Sequence, residues 1–261
     1  MTDLVRMEQQ AGVARLTLDR PDVMNALSFD TLGQLGELIA QLREDKAVRV
    51  VILTGAGERA FCAGADLKER VGFTEEQTLA FVTRIGDTFS ALAALPQPVI
   101  AAINGVAYGG GLELALACDL RVAAAGARMG LTETSLAIIP GAGGTQRLPQ
   151  IVGTARAKEL IFCSRRLDAD EAVAMGLVNR LAPQGQLMDL AQQLADSIAA
   201  NGPLAVRAAK EAIDGGNDGL DMATALLNER QIYLDRVLPS SDRLEALAAF
   251  REKRPPQFTG S

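Results

Sequence analysis

The chain contains no histidine in 261 residues. That absence removes Ser-His-Asp and Cys-His nucleophilic arrangements, a histidine general base and histidine-held metals in one step. Proton transfer must fall to carboxylates, lysine, tyrosine or cysteine. Tryptophan is absent, tyrosine occurs twice and aromatics make up 4% of residues, so packing relies on Ala, Leu, Val and Ile. The three cysteines, Cys62, Cys118 and Cys163, are odd in number, far apart and without a CxxC pair. They read as reduced thiols in a cytoplasmic protein rather than a disulfide framework. No GxxxxGKS or GxxxxGKT phosphate loop occurs. The opening MTDLVRMEQ lacks the apolar run of a secretory signal. The longest apolar stretch, 99–118, is interrupted by four glycines, Asn104 and Glu113, which argues against a membrane-spanning helix.

What is present is ordinary globular composition, 48% hydrophobic and 22% charged, enough for a sizeable core. The net charge of −6 argues against a general nucleic-acid surface, and so against an RNA-binding or scaffolding module. Beyond Lys68 and Arg70, the following helix adds few cations besides Arg84. No internal repeat or low-complexity segment stands out.

Periodicity and punctuation predict a hairpin from strands at 4–9 and 13–19, and a helix from an N-cap at Ser28 to about 43. Buried strands are expected at 49–54, 99–103 and 120–124, a helix from Thr74 to about 95, and a glycine loop over 55–64. Helical patterns at 146–151, 155–162 and 168–175 precede a strand at 177–181. Beyond about 186 the chain reads as helical, with breaks at 201–203 and 215–217. Strands separated by helices indicate an α/β fold with parallel pairing.

The most informative stretch is 104–119, NGVAYGGGLELALACD. Three glycines end in an apolar helix-forming run whose sole charge is Glu113. Glycine lets backbone N–H groups approach a ligand, and a helix start favours negative charge. Glu113 falls three residues after Gly110, on the same side of a helix. With no cation on its own helix, Glu113 reads as a buried, unpaired carboxyl whose pKa is raised, as a general acid requires. The alternative is an exposed helix glutamate, the usual place for that residue. Residues 63–68, AGADLK, form a second place of close backbone approach, either a plain turn capped by Asp66 or a second oxyanion donor. Glu133, in GLTET, fits a helix-capping role equally well. The formal GxGxxA at 55–60 runs on into FCAGAD rather than a helix, which argues against a dinucleotide site.

Together, AFCAGADLKE, NGVAYGGGLELALACD and GLTETSLAIIPGAGGTQRL resemble the enoyl-CoA hydratase/isomerase (crotonase) family, as do LDRPDVMNAL and LEALAAFREKRPPQF. The likeness covers nearly the whole chain. DLKER, SLAIIP, AKELIF and EKRPP look most like its methylglutaconyl-CoA hydratase branch.

The resemblance implies a crotonase-type spiral of ββα units. Residues 1–190 would form the acyl-CoA-binding core, and 191–261 a helical region serving trimerisation and as a lid. Assembly as a homotrimer or a dimer of trimers (a homohexamer) is implied, as is a place in fatty-acid metabolism. The implied reaction is that of a carbon–oxygen hydro-lyase adding water across the 2,3 double bond of a 2-enoyl-CoA. The amides of Ala65 and Gly110 would form the oxyanion hole, with Glu133 as the main acid and Glu113 as the main base. Ala63, Ala65, Asp66, Leu67, Lys68 and Gly110 would line the acyl-CoA site, and Lys253 would reach CoA phosphates across a subunit boundary. The expected partner is an acyl-CoA thioester, with no nucleic acid, membrane, metal or redox cofactor; coenzyme A is part of the substrate. Alternatives are 3-methylglutaconyl-CoA hydration and 3,2-enoyl-CoA isomerisation, which can proceed with one glutamate.

Overall fold

The computed structural model describes residues 3–217 and 219–261. Strands β1 (Val5–Gln10) and β2 (Val13–Leu18) pair antiparallel from Val5↔Leu18 to Gln10↔Val13. Ala11 and Gly12, both at positive φ, make the two-residue turn whose twist matches a hairpin. Helix α1 (Phe29–Glu44) starts where Ser28 Oγ accepts from the Thr31 N–H. Strand β3 (Val50–Gly55) then lies parallel to β2.

Next come β4 (Ala60–Cys62), the short α2 (Leu67–Arg70) and α3 (Glu75–Ala93), whose Thr74 and Gln77 form a reciprocal cap. They are followed by β5 (Val99–Ile103), β6 (Val106–Tyr108), α4 (Gly110–Leu116), β7 (Leu120–Ala124) and β8 (Arg128–Gly130). After a 3-10 turn at Glu133–Leu136 the chain forms α5 (Gly144–Val152), α6 (Thr154–Phe162), β9 (Leu167–Asp168), α7 (Ala169–Ala174) and β10 (Arg180–Ala182). Helices α8 (Leu187–Ala199), α9 (Pro203–Asn217), α10 (Met222–Ile232) and α11 (Ser241–Glu252) complete it.

The strands form two sheets, ordered β1-β2-β3-β5-β7-β10 and β4-β6-β8-β9. The pairs β3/β4, β5/β6 and β7/β8 each give their first strand to the large sheet and their second to the small one. Repetition of that step winds the chain into a spiral of ββα turns. All six residues of β3 and all five of β5 are buried, as expected for strands covered on both faces. Val51, Leu53, Val99, Ala101 and Ile103 pack into the main core with α1 and α3. Val50, Ile52, Ile100 and Ala102 face the other way, against Leu187, Ala191 and Ala195 of α8. No helix of the described residues is long and apolar enough to cross a membrane.

Three local expectations change. The loop expected over 55–64 contains β4, a strand too short to carry its own periodicity. The strand expected at 177–181 begins at Arg180, because the Leu177 and Val178 N–H groups instead close the end of α7 on Ala172 O. The break expected at 215–217 lies inside α9. There Gly215 allows close approach of α10, since a Cβ on it would lie 2.9 Å from Asn228 Nδ2.

Candidate active site

The site is assembled at the carboxyl ends of the small sheet's parallel strands. Ala65 lies three residues after β4, Gly110 two after β6, and Glu133 three after β8. Pairing of β6 with β8 in the register Tyr108↔Gly130 continues as Gly109 N–H donating to Gly130 O at 2.9 Å. This pairing brings the triplet glycines beside the Glu133 turn.

The glycines are required by contact. Gly109 has φ 51° and ψ −125°, and a Cβ there would stand 3.1 Å from Glu133 Oε1. A Cβ on Gly111 would run into Cys62 O, so the first turn of α4 lies directly on β4. Gly64, at φ 101°, brings its neighbour against the same turn: a Cβ there would be 2.8 Å from Tyr108 O and 3.4 Å from Gly110 N. A Cβ on Gly110 would lie 3.6 Å from Ala65 N and 3.2 Å from Ile85 Cδ1. Among the described residues neither the Ala65 nor the Gly110 N–H donates to a protein acceptor. Two unspent amide donors thus lie side by side, with Ile85 packed against the same turn.

The Ala65 loop is held from behind. Leu27 N–H donates to Gly64 O and Asp66 N–H to Leu27 O, both at 2.8 Å. The Asp66 carboxylate caps α2 by accepting from the Lys68 and Glu69 N–H groups, and it pairs with Arg20 Nη2 at 3.0 Å. Arg20 also donates through Nη1 to Ala26 O. Asp66 is therefore engaged by backbone and Arg20. Ala63 is half-buried, and its N–H donates to Met24 O. Leu67 and Lys68 are exposed on α2. Lys253 ends α11 in a left-handed conformation, exposed, and no hydrogen bond or ion pair joins it to the other candidates among the described residues.

Glu113 is 3% exposed, and its Oε1 accepts from Ala142 N and Gly144 N at 2.8 Å each. The unpaired carboxyl expected from the sequence is thus half-satisfied, by a loop thirty residues downstream. Burial pushes its pKa up, while the two N–H bonds and the charge of Arg147 pull against that rise. Glu133 is 8% exposed, and among the described residues neither of its buried oxygens has a hydrogen-bond partner. Burial first, then the nearby Glu113, push it up to about 7. Both carboxyls are thus raised, Glu113 against two donors that favour its ionised form and Glu133 without such a grip from another residue.

The enoyl-CoA hydratase/isomerase family model matches residues 8–261. The chain belongs to that family. Among its relatives, human mitochondrial enoyl-CoA hydratase domain-containing protein 2 is 49% identical over 253 residues, covering 95% of this chain and 86% of the relative. Human mitochondrial methylglutaconyl-CoA hydratase is 47% identical over 257 residues, covering 97% and 75%. The crystal structure of enoyl-CoA hydratase from Bacillus anthracis superposes with a TM-score of 0.97 at 52% identity, covering 99% of this chain and all of the other. The spiral described above is thus the crotonase fold, as the sequence motifs implied.

In this crotonase-family chain the structure brings together Ala63, Ala65, Gly110, Glu113 and Glu133, sets Leu67 and Lys68 just beyond them, and leaves Lys253 on a distant element of the sequence. Sequence reasoning missed the loop at 142–144 as a holder of Glu113, together with Arg147 and Arg20. The glycine-rich PGAGG run was visible only as a turn. A cavity of about 820 Å³ opens on another side of α4, lined by Cys118, Asp119 and Lys210. It does not include the two carboxyls, and the unspent donors and paired acids identify the candidate site instead.

Proposed function

We propose that the chain is an enoyl-CoA hydratase, adding water across the 2,3 double bond of a 2-enoyl-CoA thioester to give the 3-hydroxyacyl-CoA. The observation that carries this reading is the unequal carboxyl pair beside two unspent amide donors. Water attack at Cβ moves charge onto the thioester oxygen, which the Ala65 and Gly110 N–H groups stabilise. Loss of one such donor typically costs about 2.7–4 kcal/mol of barrier. Ionised Glu113 takes a proton from the attacking water as its oxygen bonds to Cβ. Protonated Glu133 delivers a proton to Cα, and exchange with solvent restores the starting protonation. The step adds one water and changes no oxidation state, so it asks for no redox cofactor.

Because the two carboxyls titrate as a coupled pair, the acid and base roles are those of the pair's resting distribution. A single-carboxylate isomerisation would leave the second bare acid without a task, which favours hydration. The 47% identity to a methylglutaconyl-CoA hydratase supports 3-methylglutaconyl-CoA as a substrate to set beside crotonyl-CoA. Exposed Leu226, Leu227, Leu244, Leu247 and Phe250 on α10 and α11 support assembly into a trimer or a dimer of trimers through this helical region.

Purified protein is expected to deplete the conjugated-thioester absorbance of crotonyl-CoA, and Glu113→Gln and Glu133→Gln each to lower kcat by at least about 10²-fold, the low end of general acid–base contributions. Full activity in either variant would sink the two-carboxylate mechanism.

A further inference from the structure

Arg147 is neither a donor nor a carboxyl of the candidate site, yet it is joined to Glu113 through one short loop. It stands in the first turn of α5, directly after the left-handed Gly143 at φ 103°. Its backbone N–H donates to Gly143 O at 2.8 Å, and its Nη1 donates to Ala142 O at 3.0 Å. The same loop sends its N–H groups the other way, with Ala142 N and Gly144 N both on Glu113 Oε1. The guanidinium therefore holds the carbonyl side of a loop whose amide side holds the carboxylate. Neither glycine has room to spare. A Cβ on Gly143 would strike Arg147 Nη1, and one on Gly144 would lie 3.0 Å from Glu113 Oε1.

We propose that Arg147 is a positioning residue for this site, clamping residues 142–144 so that Glu113 is held oriented and ionised as the base. The proposal rests on the role given to Glu113 above. The charged and titratable groups that face Glu113 are Arg147 from α5 and Glu133 from the turn after β8. Its own helix supplies none, and Cys62, on the strand beneath, is a buried thiol pushed up to about 12 and therefore neutral. Among the described residues Arg147 is thus the positive charge that acts on Glu113, and it lowers that carboxyl's pKa. The effect is reciprocal, since burial lowers the Arg147 pKa while Glu113 raises it. A guanidinium suits the position because it can donate to Ala142 O and keep its charge despite partial burial.

The test compares wild type with Arg147→Gln and Arg147→Lys. In Arg147→Gln the acid limb of the kcat/KM profile moves to higher pH, because the base holds its proton longer. There kcat falls at least about tenfold while KM stays within about twofold, the pattern of a group that acts on the transition state through another residue. Independently of activity, ¹³C NMR of the Glu113 carboxyl, assigned against Glu113→Gln, titrates at higher pH in Arg147→Gln than in wild type. A Glu113 titration and an acid limb that both stay put in a folded Arg147→Gln would overturn the proposal. Arg147→Lys keeps the charge but loses the fork, so it shifts the limb less and lowers kcat several-fold. Wild-type kcat with a wild-type limb in that variant would overturn it equally, whether or not Arg147→Gln folds. If wild type shows no hydration at all, the proposed reaction fails, while the NMR comparison still decides what Arg147 does to Glu113.

Discussion

Glu133 gives the site a thermodynamic signature that can be read without any substrate. Its pKa rises from an ordinary 4.5 to about 7 in the folded chain, chiefly through burial and secondarily through Glu113. A raised carboxyl pKa means that the native state binds more protons than the unfolded state between those values. Folding stability contributed by this group is therefore fully present below pH 4.5 and is lost as pH rises through 7. At about 1.4 kcal/mol per pKa step, the loss across that window amounts to about 3 kcal/mol, an upper figure for one group. Glu133→Gln removes the titration while keeping the shape of the side chain, and its amide has the same lack of partners at every pH. Urea unfolding of wild type and variant in parallel buffers from pH 4.5 to 8, read by circular dichroism, isolates the term as a difference between two curves. Wild type should lose about 3 kcal/mol relative to Glu133→Gln over that range, with most of the loss between pH 5 and 7. Two curves that stay parallel would refute the assignment of Glu133 as a buried, proton-holding acid, whatever the enzyme assay reports.

Gly109→Ala should be damaging on two grounds, since φ 51° with ψ −125° disfavours any side chain and the new methyl would press on Glu133 Oε1. A loss of about 1–3 kcal/mol in stability, together with a marked fall in kcat, is expected from calorimetry and the crotonyl-CoA assay. An unchanged Tm would mean that this turn is not held as described. Phe250, 86% exposed on α11, and Leu247, 61% exposed, test the assembly. The double change Leu247→Glu and Phe250→Glu should shift sedimentation toward smaller species while leaving the circular dichroism of the monomer fold intact.

The large sheet was readable because β3 and β5 are near-continuous apolar runs between turn signals, β7 is apolar apart from Arg121, and the helices at Ser28 and Thr74 begin on residues whose side chains cap them. The small sheet was not readable. Its strands β4, β6 and β8 are three residues each, set in glycine-rich segments, and exist because neighbours from other turns of the spiral pair with them. The site divides in the same way. Glu113 announced itself as a lone carboxyl in an apolar helix with no histidine anywhere to share its work. Glu133 did not, since its place beside Glu113 depends on β6–β8 register rather than spacing along the chain. The family motifs supplied Ala65 and Glu133 as candidates. The expectation of an unpaired Glu113 failed because its partners, the Ala142 and Gly144 N–H groups, are main-chain atoms that no residue type reveals.

The origin of the candidate groups at the ends of β4, β6 and β8 makes the small sheet a ruler. Adjacent strands in any sheet stand about 4.8 Å apart, a spacing fixed by main-chain hydrogen bonds and independent of side chains. The strands that lead to the first amide donor, to the second donor with its carboxyl, and to the bare acid therefore lie one strand-width apart in the order β4, β6, β8. Side-chain repacking in the core beneath can drain stability without altering that graduation. An insertion of one residue in β6 would instead move Gly110 and Glu113 off the scale together, and would force the glycine turn out of its contacts with Cys62 and Glu133.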